Sequence, residues 1–175
     1  MIVLLNKPYG VLSQFTDSSG RPTLSDFIPI KDIYPAGRLD FDSEGLILLT
    51  NEGKLQHSLT DPQIGKPKTY WAQDEGRPTE EAIEQLKEGV IINKKKTRGA
   101  KVRIIPEPNI WDRTPPIRQR KSIPTSWVKI TITEGRNRQV RKMTAAVGYP
   151  TLRLIRVSIG EYSIGELLPG KWKTI

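Results

Sequence analysis

Short apolar runs, each broken by turn residues, recur along this chain of 175 residues, which contains 14 glycines and 14 prolines. Because glycine and proline interrupt helices and strands, this pattern limits the regular elements to short pieces. Strands are predicted at residues 1–5, 11–16, 46–50, 68–75, 90–92, 100–105, 127–133 and 152–159. Helices are predicted at residues 22–27, 52–60, 79–89 and 137–147. This irregular order favours an α+β fold with a mixed, mostly antiparallel sheet over a regular βαβ nucleotide-binding fold.

The composition excludes several classes of chemistry. The chain has no cysteine, so disulfides, thiolate catalysis and cysteine-based zinc or iron–sulfur sites are excluded. The chain has a single histidine, His57, which excludes a histidine-rich metal centre. We expect His57 to be a surface or half-buried polar residue in the middle of a helix rather than a catalytic residue. Gly10, Gly20 and Gly45 lack the spacing of dinucleotide- and ATP-binding loops. We therefore expect no metal and no cofactor, and the lack of a long apolar run favours a cytoplasmic protein over a membrane protein.

The two halves of the chain carry charges of opposite sign. The whole chain has 28 basic and 19 acidic side chains, a net charge of +9. Residues 1–90 contain 9 basic and 14 acidic side chains, a net charge of −5, whereas residues 91–175 contain 19 and 5, a net charge of +14. A basic half of this size indicates a polyanion such as nucleic acid as partner, although a solvated basic face is the alternative interpretation.

An acidic loop precedes the apolar strand predicted at 46–50. It contains Asp40, Asp42 and Glu44. Asp40 lies between Leu39 and Phe41, so we expect it to face a partly buried site, where a carboxylate needs a cationic partner to stay charged. Surface capping is the expected role of Asp42 and Glu44, and an ordinary solvated turn is the alternative for the whole loop.

A second candidate segment spans residues 134–147. On a helical projection one face is apolar and the opposite face is basic. The apolar face carries Val140, Met143, Thr144 and Val147, and the basic face carries Arg138, Arg141, Lys142 and Ala145. Gly135, just before the helix, allows a turn whose backbone N–H groups could bind phosphate. We expect Arg136, Arg153 and Arg156 to enlarge this basic surface.

Aromatic residues are the other candidates for nucleic-acid contact, because bases stack on aromatic faces. Tyr70 and Trp71 are adjacent in a predicted strand, so they point to opposite faces and at most one lines a given site. Trp71 is expected to pack in the core. Trp111 lies in a loop rich in proline, arginine and lysine over 106–125, where it either stacks on a base or anchors the loop.

Seven segments in this order resemble the RsuA-type pseudouridine synthases. The segments are NKP (6–8), GRLD (37–40), SEGLILLTN (43–51), KTY (68–70), EGRNRQVRKM (134–143), LRLIR (152–156) and LPGKW (168–172). GRLD alone would be a weak signal, but the combination covers nearly the whole chain. The loop 115–125 looks most like that of the E-type enzymes, which act on large-subunit (23S) ribosomal RNA.

The resemblance implies roles for particular residues. Asp40 would be the catalytic aspartate, and Arg141 would pair with it. Tyr70 would lie against the target uracil, Leu154 would pack under the base, and Arg38 would help to hold the opened RNA. Basic residues of the C-terminal half would bind the RNA around the site. These are Arg136, Arg138, Lys142, Arg118, Arg120 and Lys121.

The resemblance also implies a fold and a reaction. The fold is a bent, mixed sheet around a central cleft, with lobes at 1–66 and 67–175 in one catalytic domain. The reaction turns a uridine into pseudouridine without a cofactor, in an enzyme that flips out the target base. A monomer is the default expectation for the oligomeric state and does not follow from the resemblance. Many relatives begin with a small basic RNA-binding domain, whereas this sequence starts at the core strand. RNA choice is therefore expected to depend on the core, including the basic region 94–125. Position 41 is Phe, where several relatives carry a basic or polar residue, so a phosphate contact is expected to be lost there.

Two other functions remain open on the sequence. A ribosomal or RNA-binding protein without catalysis would show the same basic half, although it has no use for a buried acid in a phosphate-binding region. A nucleoside-cleaving hydrolase would use two carboxylates, such as Asp40 and Glu44, as general acid and base.

Overall fold

The computed structural model describes residues 1–175, which group into two compact units. Unit 1 contains Met1–Lys66 and Ile155–Ile175, and unit 2 contains Pro67–Leu154. The sequence assigned 155–175 to the second lobe. These residues group instead with unit 1, because strands in them pair with strands of the N-terminal segment.

Unit 1 is built from antiparallel strands and one parallel pairing. Its strands are β1 (Ile2–Lys7), β2 (Tyr34–Ala36), β3 (Glu44–Thr50), β10 (Tyr162–Ser163), β11 (Trp172–Thr174) and the part of β9 (Thr151–Ile159) from Ile155 onward. Strand β1 lies between β11 and β3 and is antiparallel to both, whereas β3 pairs in parallel with β9 at Ile155 and Arg156. Strand β2 pairs with β3, and β10 pairs with β9. Helix α1 (Gly53–Thr60) follows β3.

The core of unit 1 forms around β1 and β3. All seven residues of β3 are buried, which fits a strand covered on both faces. The core side chains are Val3, Leu5, Leu24, Ile28, Ile33, Ile47 and Leu49.

The strand predicted at 11–16 is wrong. Leu12 forms only a single bridge with Thr23. Leu12 N donates to Pro22 O at 2.9 Å, and Gln14 O accepts from Leu24 N at 2.8 Å. The loop instead packs on a 3₁₀ turn (Leu24–Asp26), in which Thr23 and Asp26 form a capping box. Hydrogen bonds to this turn replace the ladder that a strand would need.

Unit 2 is an antiparallel sheet with two helices and a separate hairpin. The elements are β4 (Lys68–Glu75), α2 (Glu80–Glu88), β5 (Ile91–Ile92), β6 (Lys95–Lys96), β7 (Lys101–Ile105), β8 (Thr125–Ile132) and α3 (Gln139–Ala146). In this unit β4 lies between β9 and β8, and β7 pairs with β8. The α+β class and the mixed, mostly antiparallel pairing are thus confirmed.

A buried carboxyl group interrupts the apolar interior of unit 2. Asp74 in β4 is 1% exposed, and its Oδ1 accepts a hydrogen bond of 2.7 Å from the Thr151 hydroxyl. The Thr151 hydroxyl also lies 2.8 Å from that of Thr144. Burial raises the pKa of Asp74 to about 7, although the Thr151 hydrogen bond acts in the opposite direction.

We expect Asp74→Asn to flatten the pH dependence of stability. The unfolded chain releases this proton near the ordinary aspartate pKa of about 3.9. The folded protein holds the proton up to about pH 7. The contribution of Asp74 to the free energy of unfolding therefore falls as pH rises between these two values and is constant above them. At pH 8 the variant should be more stable than the parent by about 1–3 kcal/mol.

Urea denaturation at pH 5, 6, 7 and 8 measures this effect. Asp112→Asn, at an exposed aspartate, is the matched control and should behave like the parent at every pH. If parent and Asp74→Asn differ by the same free energy at all four pH values, Asp74 does not titrate as stated.

Candidate functional site

The backbone around Asp40 is fixed on both sides. The Ser13 hydroxyl donates to Leu39 O at 2.6 Å and accepts from Leu39 N at 3.0 Å. On the other side Gly10 N donates to Phe41 O at 2.8 Å, and Ser43 N donates to Asp40 O at 3.0 Å. The Asp40 side chain is half-buried, in line with the expected partly buried position. A short loop is thus held rigidly enough to aim one carboxylate.

The lysine of the NKP segment (6–8), to which the sequence assigned no role of its own, lies buried in the same unit. Lys7, the last residue of β1, is 0% exposed, and its Nζ donates to Pro8 O and Val11 O, each at 2.8 Å. Burial lowers the pKa of Lys7 to about 8, and the carboxylates of Glu44, Asp42 and Asp40 act in the opposite direction. The acidic loop therefore lies next to a buried cation. The sequence signal that could have indicated a buried cation is a lysine at the end of an apolar strand.

Glu44 does not cap the surface, so that expectation is wrong. It is 1% exposed and is the first residue of β3, where it pairs with Ile155. The next residue, Gly45, has a φ of +112°, and a Cβ built there would lie 2.2 Å from Arg156 O. Only glycine allows β3 and β9 to approach this closely. Asp42 is half-buried.

Arg38 is exposed at the start of the loop. Its Nη2 donates to Gln14 Oε1 at 3.2 Å. Phe41 is also exposed, and the Arg21 guanidinium lies 6.0 Å from the centre of its ring. His57 is an exposed helix residue with Nε2 3.1 Å from Asp61 Oδ2, so its expected surface position is confirmed.

The other residues given catalytic or base-binding roles belong to unit 2. Tyr70 is 8% exposed and lies opposite Ile130 in the β4–β8 pair, and Leu154 is 6% exposed. Trp71 is half-buried. Arg141 is half-buried on α3, with Nη1 3.4 Å from Thr151 O. The roles of Asp40, Tyr70, Arg141 and Leu154 stay predictions.

Helix α3 has the predicted apolar face, because Val140, Met143 and Thr144 are buried. The helix begins later than predicted. Arg138 adopts a left-handed conformation with a φ of 49° and precedes the first helical residue. The Gln139 side chain accepts a hydrogen bond from Arg136 N, so this N–H is taken by the protein rather than left for phosphate. Arg138 is exposed, and Lys142 is half-buried with Nζ 3.3 Å from Asn137 Oδ1.

Two arginines that were expected to enlarge the basic surface are buried. Arg153 is 7% exposed and Arg156 is 3% exposed. Arg156 Nε donates to Leu46 O at 2.9 Å, and Arg153 Nη2 donates to Trp111 O at 3.0 Å. Both guanidinium groups are buried and bond backbone carbonyls, so the expectation that these arginines enlarge the basic surface is wrong.

Trp111 anchors the basic loop. The Arg153 guanidinium lies 6.0 Å from the centre of the Trp111 ring in addition to bonding its carbonyl. Arg118, Arg120 and Lys121 are exposed further along the loop, and Arg120 Nε lies 3.9 Å from Glu75 Oε2. The loop therefore exposes its cationic side chains, while Arg153 holds its aromatic residue, Trp111, in place.

Comparison with known proteins decides the family. The model of the family described as RNA pseudouridylate synthase matches residues 1–146. The chain belongs to the RNA pseudouridylate synthase family. A protein of Vibrio parahaemolyticus named ribosomal large subunit pseudouridine synthase E is 57% identical over 174 residues, covering 99% of this chain and 73% of that protein. A protein of the same name from Xanthomonas axonopodis pv. citri is 57% identical, covering 97% of this chain and 90% of that protein.

Solved structures agree with this membership. A crystal structure of a pseudouridylate synthase superposes with a TM-score of 0.82 at 30% identity, covering 98% of this chain and 68% of that chain. An H/ACA ribonucleoprotein bound to a substrate RNA shares the fold, with a TM-score of 0.64 at 15% identity over 95% of this chain and 50% of that chain.

Membrane-spanning helices and metal-binding groups of side chains are both absent from the structure. None of the helices has the length and apolar character needed to cross a membrane. No group of His, Cys, Asp and Glu side chains is arranged to hold a metal ion.

We expect Lys7→Met to destabilise unit 1. Methionine keeps the length of the side chain, but Pro8 O and Val11 O lose their donor and buried Glu44 loses a nearby cation. Removing one member of a buried charged cluster costs about 3–5 kcal/mol. Urea denaturation measures the loss, with Lys54→Met at an exposed position of α1 as control. A loss for Lys7→Met no larger than for the control would contradict the role given to Lys7.

Proposed function

We propose that this enzyme isomerises one uridine of large-subunit ribosomal RNA to pseudouridine, with Asp40 as the catalytic carboxylate. The observation that carries the proposal is the match over 99% of the chain, at 57% identity, to an enzyme named for that substrate. The fixed backbone at Asp40 supports the choice of this carboxylate, because a catalytic group needs a defined position. A ribosomal RNA substrate implies action in the cytoplasm, and we propose that a monomer suffices.

The reaction rearranges bonds within one nucleotide. The C–N glycosidic bond of the uridine breaks, the uracil turns over, and a C–C bond forms between the sugar and the base. Nothing is oxidised or reduced, and the proton lost from C5 of the uracil is balanced by the proton gained at N1. One carboxylate that attacks the sugar or removes a proton from it, together with proton exchange with water, is therefore sufficient chemistry.

The target base must leave its stack before its sugar can be reached. Tyr70 and Leu154 are the proposed contacts of the extruded uracil, and both are side chains of low exposure in unit 2. Arg38 is the proposed contact of the opened RNA and is exposed. Arg141 is the proposed charge partner of the catalytic carboxylate.

The RNA-binding surface is proposed to lie on unit 2. Arg138 and Lys142 flank the start of α3, and Arg118, Arg120 and Lys121 extend from the basic loop. Arg136 was given the same role, but its guanidinium donates to Ile92 O at 2.6 Å and to Lys95 O at 3.1 Å. We therefore propose that Arg136 acts mainly by ordering the surface around it.

We expect Asp40→Asn to abolish pseudouridine formation and to leave RNA affinity within about twofold. Asparagine keeps the shape of the side chain but is neither a nucleophile nor a base. The assay incubates an unmodified transcript of bacterial large-subunit ribosomal RNA with the protein and measures pseudouridine by mass spectrometry of the digested RNA.

Asp32→Asn is the matched control for this experiment. Asp32 is exposed and has a φ of 58°, a conformation that asparagine tolerates, so the control should retain full activity. Normal turnover by Asp40→Asn would remove Asp40 from catalysis. Free uracil in the parent reaction would point to hydrolysis instead of isomerisation.

We expect Arg138→Ala combined with Lys142→Ala to weaken RNA binding and its salt dependence. Each lost phosphate contact lowers the slope of log K against log salt by about 0.7–0.9, so two contacts remove about 1.5. Filter binding of the same transcript between 50 and 300 mM KCl measures the slope. Lys31→Ala combined with Lys54→Ala removes the same charge from exposed positions of unit 1. An unchanged slope in the first variant would show that this part of α3 does not contact RNA.

A further inference from the structure

Strands β5 and β6 form a hairpin with an unusual turn. Ile91 pairs with Lys96 and Ile92 with Lys95, so the loop consists of two residues, Asn93 and Lys94. Both have positive φ, 48° and 66°. This turn geometry favours asparagine at the first position and glycine at the second. Lysine at the second position is strained by its Cβ, so the sequence departs here from what local stability prefers.

The hairpin also carries a cluster of positive charge, and its own strands contain no acidic residue to neutralise it. Lys94, Lys95 and Lys96 are consecutive and exposed. Like charges at this spacing repel one another, which again disfavours the folded hairpin. Ile91, opposite Lys96, is 69% exposed and offers an apolar contact beside the three ammonium groups. Strain and repulsion in one short element point to binding of a polyanion rather than to a structural purpose.

The base of the hairpin is rigidly held. Thr97 N donates to Val90 O at 2.8 Å, and Val90 N donates to Thr97 Oγ1 at 3.0 Å. Ile92 is buried, and a Cβ at Gly89 would lie 2.3 Å from Thr97 O, so the chain passes closely there. The lysines are therefore presented from a fixed base rather than from a loose loop.

Arg136 ties the hairpin to the segment that leads into α3. Its guanidinium donates to Ile92 O at 2.6 Å and to Lys95 O at 3.1 Å, one carbonyl from each strand. Arg138, two residues later, belongs to the surface proposed above to bind RNA. A planar guanidinium that bonds both strands fixes the position of the lysines relative to that surface.

We propose that the hairpin lysines Lys94, Lys95 and Lys96 bind phosphate groups of the RNA and extend the surface formed by Arg138 and Lys142. This inference rests on the proposed function, because it takes the partner to be RNA. It adds a separate contact, on an element outside both the acidic loop and α3, that determines affinity and not the chemical step.

The strained turn allows a test in which stability and binding change in opposite directions. Lys94→Gly relieves the strain, so the melting temperature should rise by about 2 °C. The same variant should bind the large-subunit RNA transcript about threefold more weakly at 150 mM KCl, with the salt slope lowered by about 0.7–0.9. Lys94→Gly combined with Lys95→Gln and Lys96→Gln should lower the slope by about 2.

Two controls separate a local contact from general charge. Lys94→Arg keeps the charge and the strain and should retain affinity within about twofold. Lys54→Gln removes one charge from α1 and should leave the slope unchanged.

An unchanged salt slope in the triple variant, or a slope lowered as much by Lys54→Gln as by Lys94→Gly, would overturn the proposal. Normal binding of naked RNA by the triple variant, with loss only on ribosomal particles, would overturn it in favour of a protein partner. Failure of the proposed function would appear differently, as absence of pseudouridine with the parent protein.

Discussion

The acidic loop of unit 1 depends on the buried ammonium group of Lys7. A charge taken out of water is stable only when polar groups replace its hydration. Here two backbone carbonyls accept its hydrogen bonds, and the carboxylates of Glu44, Asp42 and Asp40 oppose the loss of its proton. The register explains how this arises, because Lys7 lies opposite Gly45 in the β1–β3 pair. Pairing of two core strands therefore brings the cation to the end of the loop that carries Asp40.

Strand β9 shows how buried arginines organise each unit. Arg153 lies in the part of β9 that belongs to unit 2 and holds Trp111, whereas Arg156 lies in the part that belongs to unit 1 and holds Leu46 O. A guanidinium cannot give up its proton in a protein, so its burial requires hydrogen-bond acceptors. These two arginines are therefore committed to the fold, and the charge of the basic half overstates what its surface presents.

Elements whose ends are marked by nearby residues could be predicted from the sequence. Elements that depend on contacts with residues far away in the chain could not. Helix α2 has the predicted bounds because Thr79 caps its start and Gly89 follows its end, both of which are local features. The prediction of a strand at 11–16 failed because the backbone of this segment bonds a turn about ten residues later in the chain instead of a neighbouring strand. Glu44, Arg153 and Arg156 were misplaced for the same reason, since burial of a charged residue is decided by partners that no local pattern reveals. The loop of Asp40 was found, but Lys7 was not assigned a role.

Four arginines of unit 2 have a structural task that the exposed lysines of this unit do not share. The guanidinium groups of these arginines donate hydrogen bonds to backbone carbonyls. Arg98 donates to Thr133 O, Arg113 to Pro115 O and Pro116 O, Arg136 to Ile92 O and Lys95 O, and Arg153 to Trp111 O. The lysines of the hairpin and Lys121 of the basic loop are instead exposed. A guanidinium offers five donors in a rigid fork that can order irregular chain, whereas an ammonium is a mobile point charge suited to phosphates at varied positions. Exposed lysines, together with the exposed Arg118, Arg120 and Arg138, can therefore hold a folded RNA by its backbone, while the arginines that bond carbonyls keep the surrounding loops in place.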